Sequence, residues 1–106
     1  MRLITITLAL CPTIATAETD TLTSMQKASD LGNIIGSETL CGLTLDQAGI
    51  EAWISANVAK DDMSFASHLS ATVGLSEYKH KDMTASAKTA HCAAVKQSAT
   101  AAGLIK

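Results

Sequence analysis

Apolar residues recur along this chain at intervals of three and four, and they do not alternate with polar residues as in a half-buried strand. Leu31, Ile34 and Ile35 share one face of a helix that is predicted to span residues 22–40. The single proline, Pro12, lies near the N-terminus, so the rest of the chain lacks the strongest helix breaker. The pattern is typical of an all-α protein.

Gly32 and Gly36 fall on the predicted first helix, and each is expected to cost about 1 kcal/mol of helix stability relative to alanine. Their G-x-x-x-G spacing would let a second helix approach closely. Two tolerated glycines are the simpler interpretation, and we expect that outcome here.

A second helix is predicted over residues 45–58. Cys41-Gly42 has the pattern of a helix end, because glycine adopts the left-handed cap conformation at little cost. Thr44 and Gln47 match a capping box, in which the threonine oxygen accepts an N–H of the first turn and the glutamine reaches back. The expected buried stripe comprises Ile50, Trp53, Ile54 and Val58.

A third helix should begin at Asp61 or Asp62, since either carboxylate can cap its first turn, and should end near Gly74. Residues 76–82, SEYKHKD, are polar and are predicted to form an exposed connection. The expected inward residues of this helix are Phe65, Leu69 and Val73.

The last helix is predicted over residues 85–102. Thr84 or Ser86 would open it, Gly103 would end it, and residues 104–105 would fold back onto the core. The four helices together predict one small domain over residues 18–106.

The first 17 residues have the pattern of a signal peptide. Arg2 precedes an apolar run of about 12 residues, and Ala15-Thr16-Ala17 then gives the small-x-small pattern of a cleavage site. The run is shorter than the ~20 residues of a membrane-spanning helix. We expect residues 1–17 to be removed and residues 18–106 to be periplasmic or secreted, with no membrane span. Lipidation of Cys11 is the less favoured alternative, because Leu10 rather than a small residue precedes it.

Two cysteines follow the predicted cleavage site, Cys41 and Cys92. Paired cysteines of exported proteins usually form disulfides. Cys92 shares a helix face with Val95 and Ala99, which indicates a core position. The sequence therefore predicts an all-α, small four-helix domain cross-linked by one disulfide between Cys41 and Cys92.

Catalytic and metal sites are not predicted. His91 precedes Cys92, but neighbours in a helix point about 100° apart, so the two cannot form a dyad, and His91 is expected to contribute little to stability. His68, His80 and His91 lack metal-site spacing, and Asp61-Asp62 beside His68 is better explained as a helix start near a solvated histidine. We expect no cofactor, and Trp53 is interpreted as a core residue rather than a ligand platform.

The charge pattern argues against a nucleic-acid partner. The formal net charge is −2, and the only arginine is Arg2, inside the predicted signal peptide. Phosphate recognition normally uses the planar guanidinium group, and nucleic-acid binding normally uses net positive charge.

Three segments, CGLTLDQAGIEAWI (41–54), DDMSF (61–65) and SAKTAHC (86–92), resemble a group of short exported proteins of alphaproteobacteria. The likeness covers about residues 37–105 and includes two cysteines at matching places. The resemblance implies export and the disulfide; it implies no activity, because none is assigned to that group.

These observations favour a small, exported, non-enzymatic helical binding or interaction protein with an unknown protein or small-molecule partner. The Gly/Ala/Ser faces of its helices would also permit close packing in a homodimer. One alternative is a periplasmic acid-stress chaperone, which such a chain resembles in size and architecture alone. The other is a small metal-binding protein.

Overall fold

The computed structural model describes residues 16–106, with side chains from residue 22 onward. Its described part contains helices and no strand, which confirms the all-α prediction. Residues 1–15, which include Cys11 and most of the predicted signal peptide, lie outside the described residues. The elements are α1 (Thr16–Gly36), α2 (Glu38–Cys41), α3 (Gln47–Asn57), α4 (Phe65–Lys79), a 3₁₀ turn (His80–Asp82) and α5 (Ala85–Ala101).

Helix α1 is the centre of the fold, because it contacts α2, α4 and α5. α3 supplies half-buried residues to the same core, and its Trp53 ring lies 6.5 Å from that of Phe65 at the start of α4. The buried apolar residues are Ala28, Leu31, Ile34, Leu45, Phe65, Val95, Ala99 and Leu104. Two of these buried residues, Ala28 and Ala99, have small side chains, so the helices must approach closely to bury them.

The two glycines of α1 form its contact with α4, so the interpretation of Gly32 and Gly36 as merely tolerated is wrong. A Cβ built on Gly32 would lie 2.7 Å from the Thr72 Cβ, and one on Gly36 would lie 2.7 Å from the Ser76 Cβ. The second contact lies four residues further towards the C-terminus than the first on both helices, so α1 and α4 run parallel here. The G-x-x-x-G spacing therefore permits the close approach that such motifs allow.

α1 ends at Gly36, four residues before the predicted end. The Ser37 hydroxyl donates to the Asn33 carbonyl oxygen at 2.6 Å, and the Ser37 N–H donates to the Ile34 carbonyl at 3.2 Å. A serine that bonds the preceding turn in this way competes with the helical pattern and bends a helix. The one-turn helix α2 follows and carries Cys41 towards α5.

The predicted capping box at Thr44 is wrong. α3 begins at Gln47, with Asp46 at its N-cap and no side-chain cap bond, and the Gln47 amide lies against the Leu45 carbonyl at 3.4 Å. The Asp46 N–H instead donates to the Leu104 carbonyl at 2.7 Å. A contact from the far end of the chain therefore fixes the start of this helix.

α4 continues five residues beyond Gly74, where it was expected to end, and includes part of the predicted connection 76–82. Ser76 is buried against α1 and donates to the Asn33 side chain at 2.8 Å. Tertiary contact of this kind outweighs the cost of about 1 kcal/mol for one glycine in a helix.

Other predicted helix ends are confirmed, except that α4 begins at Phe65 and not at Asp61 or Asp62. The Asp62 carboxylate accepts the N–H groups of Ser64 and Phe65, each at 3.2 Å, and Thr84 accepts that of Ala87 at 3.2 Å. The chain leaves α2 and α5 through glycines with positive φ, 60° at Gly42 and 75° at Gly103. Leu104 then folds back and is fully buried, as expected.

Candidate functional site

The predicted disulfide is present and links α2 to α5. The Cα atoms of Cys41 and Cys92 are 5.3 Å apart, and 51 residues separate them in sequence. Closing a loop of that length stabilises a fold by about 4 kcal/mol in the chain-entropy model. Because both sulfur atoms are bonded, neither cysteine carries a thiol that could act as a nucleophile in this state.

A polar cluster lies beside the disulfide, where α1 ends. The His91 Nε2 atom lies 2.8 Å from the Ser37 hydroxyl, and Ser37 is fully buried. Asn33 accepts two hydrogen bonds from nearby hydroxyl groups. Its backbone carbonyl accepts from Ser37, and its side-chain oxygen accepts from Ser76. His91 is thus a half-buried partner of the α1–α2 junction, which the sequence analysis missed because no motif marks a contact between residues this far apart.

The Ser37–His91 contact resembles a nucleophile and its base in distance alone. A catalytic histidine must accept the serine proton, but the single hydroxyl hydrogen of Ser37 is directed to the Asn33 carbonyl. His91 therefore donates from Nε2, and the serine accepts. With Ser37 inaccessible to solvent, this arrangement is suited to holding helices together and not to attacking a substrate.

His80 packs against His91, with ring centroids 5.0 Å apart. Burial, followed by the nearby His91, lowers the pKa of His80, and Glu77 opposes the shift. The fold thus favours neutral His80. Neutral His80 therefore contributes to the free energy of unfolding above the usual histidine pKa of 6.5. This contribution is lost as pH falls below 6.5 towards the lower pKa of His80 in the folded state.

Within residues 22–106, whose side chains the structure describes, no three His, Cys, Asp or Glu side chains lie close enough together to hold a metal ion. No helix within the described part of the chain is both long and apolar enough to cross a bilayer.

An open cleft lies between α1, α3 and α5. Its volume is about 520 Å³, within the range of small-molecule sites. Trp53 of α3 forms part of its wall and is half-buried. The other lining residues are Asp30, Leu31, Ile34, Ser98, Ala101, Ala102 and Leu104.

Two backbone hydrogen bonds fix the position of the chain end beside this cleft. The Leu104 N–H donates to the Ala99 carbonyl at 2.9 Å, and the Leu104 carbonyl accepts the Asp46 N–H. These bonds tie the chain end to α5 and to the N-cap residue of α3. Trp53 packs against Phe65, as its interpretation as a core residue requires, but it also lines the cleft.

A second cavity, of about 440 Å³, lies where α3 ends and α4 begins. Its polar groups bind one another: Lys27 Nζ donates to the Asn57 carbonyl at 2.6 Å, and Asp62 accepts from Ser24 and Ser64. The bond from Ser24, followed by that from Ser64, lowers the pKa of Asp62. These groups are satisfied within the fold, so the cavity gives a weaker indication of a ligand than the Trp53 cleft.

Comparison with protein families, curated proteins and solved structures finds no match to this chain.

Proposed function

We propose that this chain is a small, exported, non-enzymatic binding protein whose ligand site is the cleft beside Trp53. The observation that carries the proposal is the cleft itself: apolar side chains from three helices surround a space large enough for a small molecule. The N-terminal sequence pattern and the disulfide support export. The acid-chaperone and metal-binding alternatives stay predictions.

The cleft has the properties of a preformed site. Leu31 and Leu104 behind the cleft are almost fully buried, so its floor belongs to the hydrophobic core. A ligand that fills an existing apolar space gains burial without the cost of ordering the protein. The disulfide covalently ties α5 to α2.

A filled cleft should lose binding. Ala101 is exposed and lines the cleft, so Ala101→Leu places a larger side chain in the ligand space without disturbing a buried residue. The neutral dye N-phenylnaphthylamine, whose emission rises in apolar surroundings, is a suitable probe. We expect the wild type to bind it and Ala101→Leu to bind it at least tenfold more weakly, since most of the apolar contact is lost.

The matched control is Ala94→Leu. Ala94 is also exposed on α5 and lies outside the cleft lining, so the same substitution there should leave dye binding unchanged. Absence of binding to the wild type, or an equal loss in both variants, would contradict the proposed site.

A further inference from the structure

Of the described residues that line the Trp53 cleft, one carries a charged side chain. Asp30 lies on α1 at the cleft mouth, and the remaining lining residues are apolar apart from Ser98. Neither lysine, arginine nor histidine is among the residues that line it. An anion entering this cleft would therefore meet only a like charge.

Among the described residues, no cationic side chain forms an ion pair with Asp30. Its Oδ1 accepts a hydrogen bond from the neutral Gln26 amide at 2.9 Å. The one ion pair found among the described residues joins Lys106 to Asp46, outside the cleft. Ser98 adds a hydroxyl that can accept a further hydrogen bond.

Trp53 supplies the second element of cation recognition. An indole face attracts an ammonium group more strongly than the other aromatic side chains do, and the attraction increases where water is partly excluded. Half-burial of Trp53 in the cleft wall meets that condition. The net charge of −2 also favours the approach of a cation over that of an anion.

On the basis of the proposed function, we infer that the ligand of this cleft is a small organic cation, with an apolar body that packs against Trp53, Ala101 and Ala102 and an ammonium group between Asp30 and Trp53. The apolar walls fit the body, and the single carboxylate at the mouth selects the charge.

Three probes with one skeleton test this inference: phenylpropylammonium, phenylpropanol and phenylpropionate. Trp53 is the only tryptophan of the chain, so its emission reports on the cleft directly. We expect the ammonium probe to bind roughly tenfold more tightly than the alcohol, the combined effect of an exposed carboxylate and an indole, and the carboxylate probe to bind most weakly. Added salt should reduce the preference for the ammonium.

Asp30→Asn should abolish the preference while leaving the alcohol affinity unchanged. Asp61→Asn is the matched control, because it removes the same charge from an exposed residue outside this cleft and should retain the preference. Equal affinity for all three probes, or an unchanged preference in Asp30→Asn, would overturn the inference and leave the proposed site intact. Failure of every probe and of the neutral dye would overturn both.

Discussion

At the scale of single residues, the most informative contact is the one between Ser37 and His91. Ser37 is fully buried, accepts from His91 and donates to Asn33, so it satisfies polar groups on two helices at once. Adjacent His91 and Cys92 have separate structural roles, because one binds the α1–α2 junction and the other carries the disulfide.

We predict that Ser37→Ala and His91→Ala each lower the free energy of unfolding by about 1–2 kcal/mol, because each leaves a partner without its hydrogen bond. The double variant should lose less than the sum of the two, since both changes remove one interaction. Urea unfolding of the four proteins at neutral pH measures the cycle. Strict additivity would show that the two side chains do not interact.

Some of the helix caps could be predicted from the sequence, and others could not. Local signals sufficed for Asp62, Thr84, Gly42 and Gly103, because a cap depends on backbone groups within a few residues. The capping role predicted for Thr44 was wrong because the start of α3 is fixed by a distant contact. There the Asp46 N–H donates to the Leu104 carbonyl. A contact between residues as far apart as Asp46 and Leu104 produces no periodic pattern in a single sequence.

At the scale of helices, the parallel α1–α4 contact determines where α4 runs. Thr72 and Ser76 on α4 oppose Gly32 and Gly36 on α1, so small residues face each other along the contact. The glycine spacing was visible in the sequence, but the partner helix was not. The small side chains that meet those glycines could be identified only when both helices were placed together.

Two glycines of the same domain should respond oppositely to alanine. Gly36→Ala should lower the free energy of unfolding by about 1–3 kcal/mol, because its Cβ would meet the Ser76 Cβ at 2.7 Å in a packed contact. Gly74→Ala should raise it by up to about 1 kcal/mol, because Gly74 is helical and a Cβ there meets no atom within 4 Å.

Thermal or urea unfolding of both glycine variants decides the point. If Gly36→Ala is as stable as the wild type, the two helices do not approach as closely as described. A destabilising Gly74→Ala would show that α4 ends near residue 74, as the sequence alone had predicted.

At the scale of the whole molecule, one disulfide and a central helix organise a small core. The all-α class and the Cys41–Cys92 pair followed from the sequence, because helical periodicity and cysteine count are properties of the whole chain. The cleft did not follow, since its walls come from α1, α3 and α5 and form only when α5 lies against α1. The dual position of Trp53, against Phe65 and at the cleft, could not be read from the stripe on α3.

The central claim is that this domain binds small molecules at the Trp53 cleft. Mapping of amide and indole NMR shifts during titration with phenylpropylammonium tests it most directly, because each residue reports separately. We predict that the largest shifts occur at Trp53, Ser98 and Leu104, with little change at Leu75 and Tyr78, which are exposed on α4 outside the cleft. Shifts centred on Leu75 and Tyr78, or no shifts at saturating probe, would contradict the account.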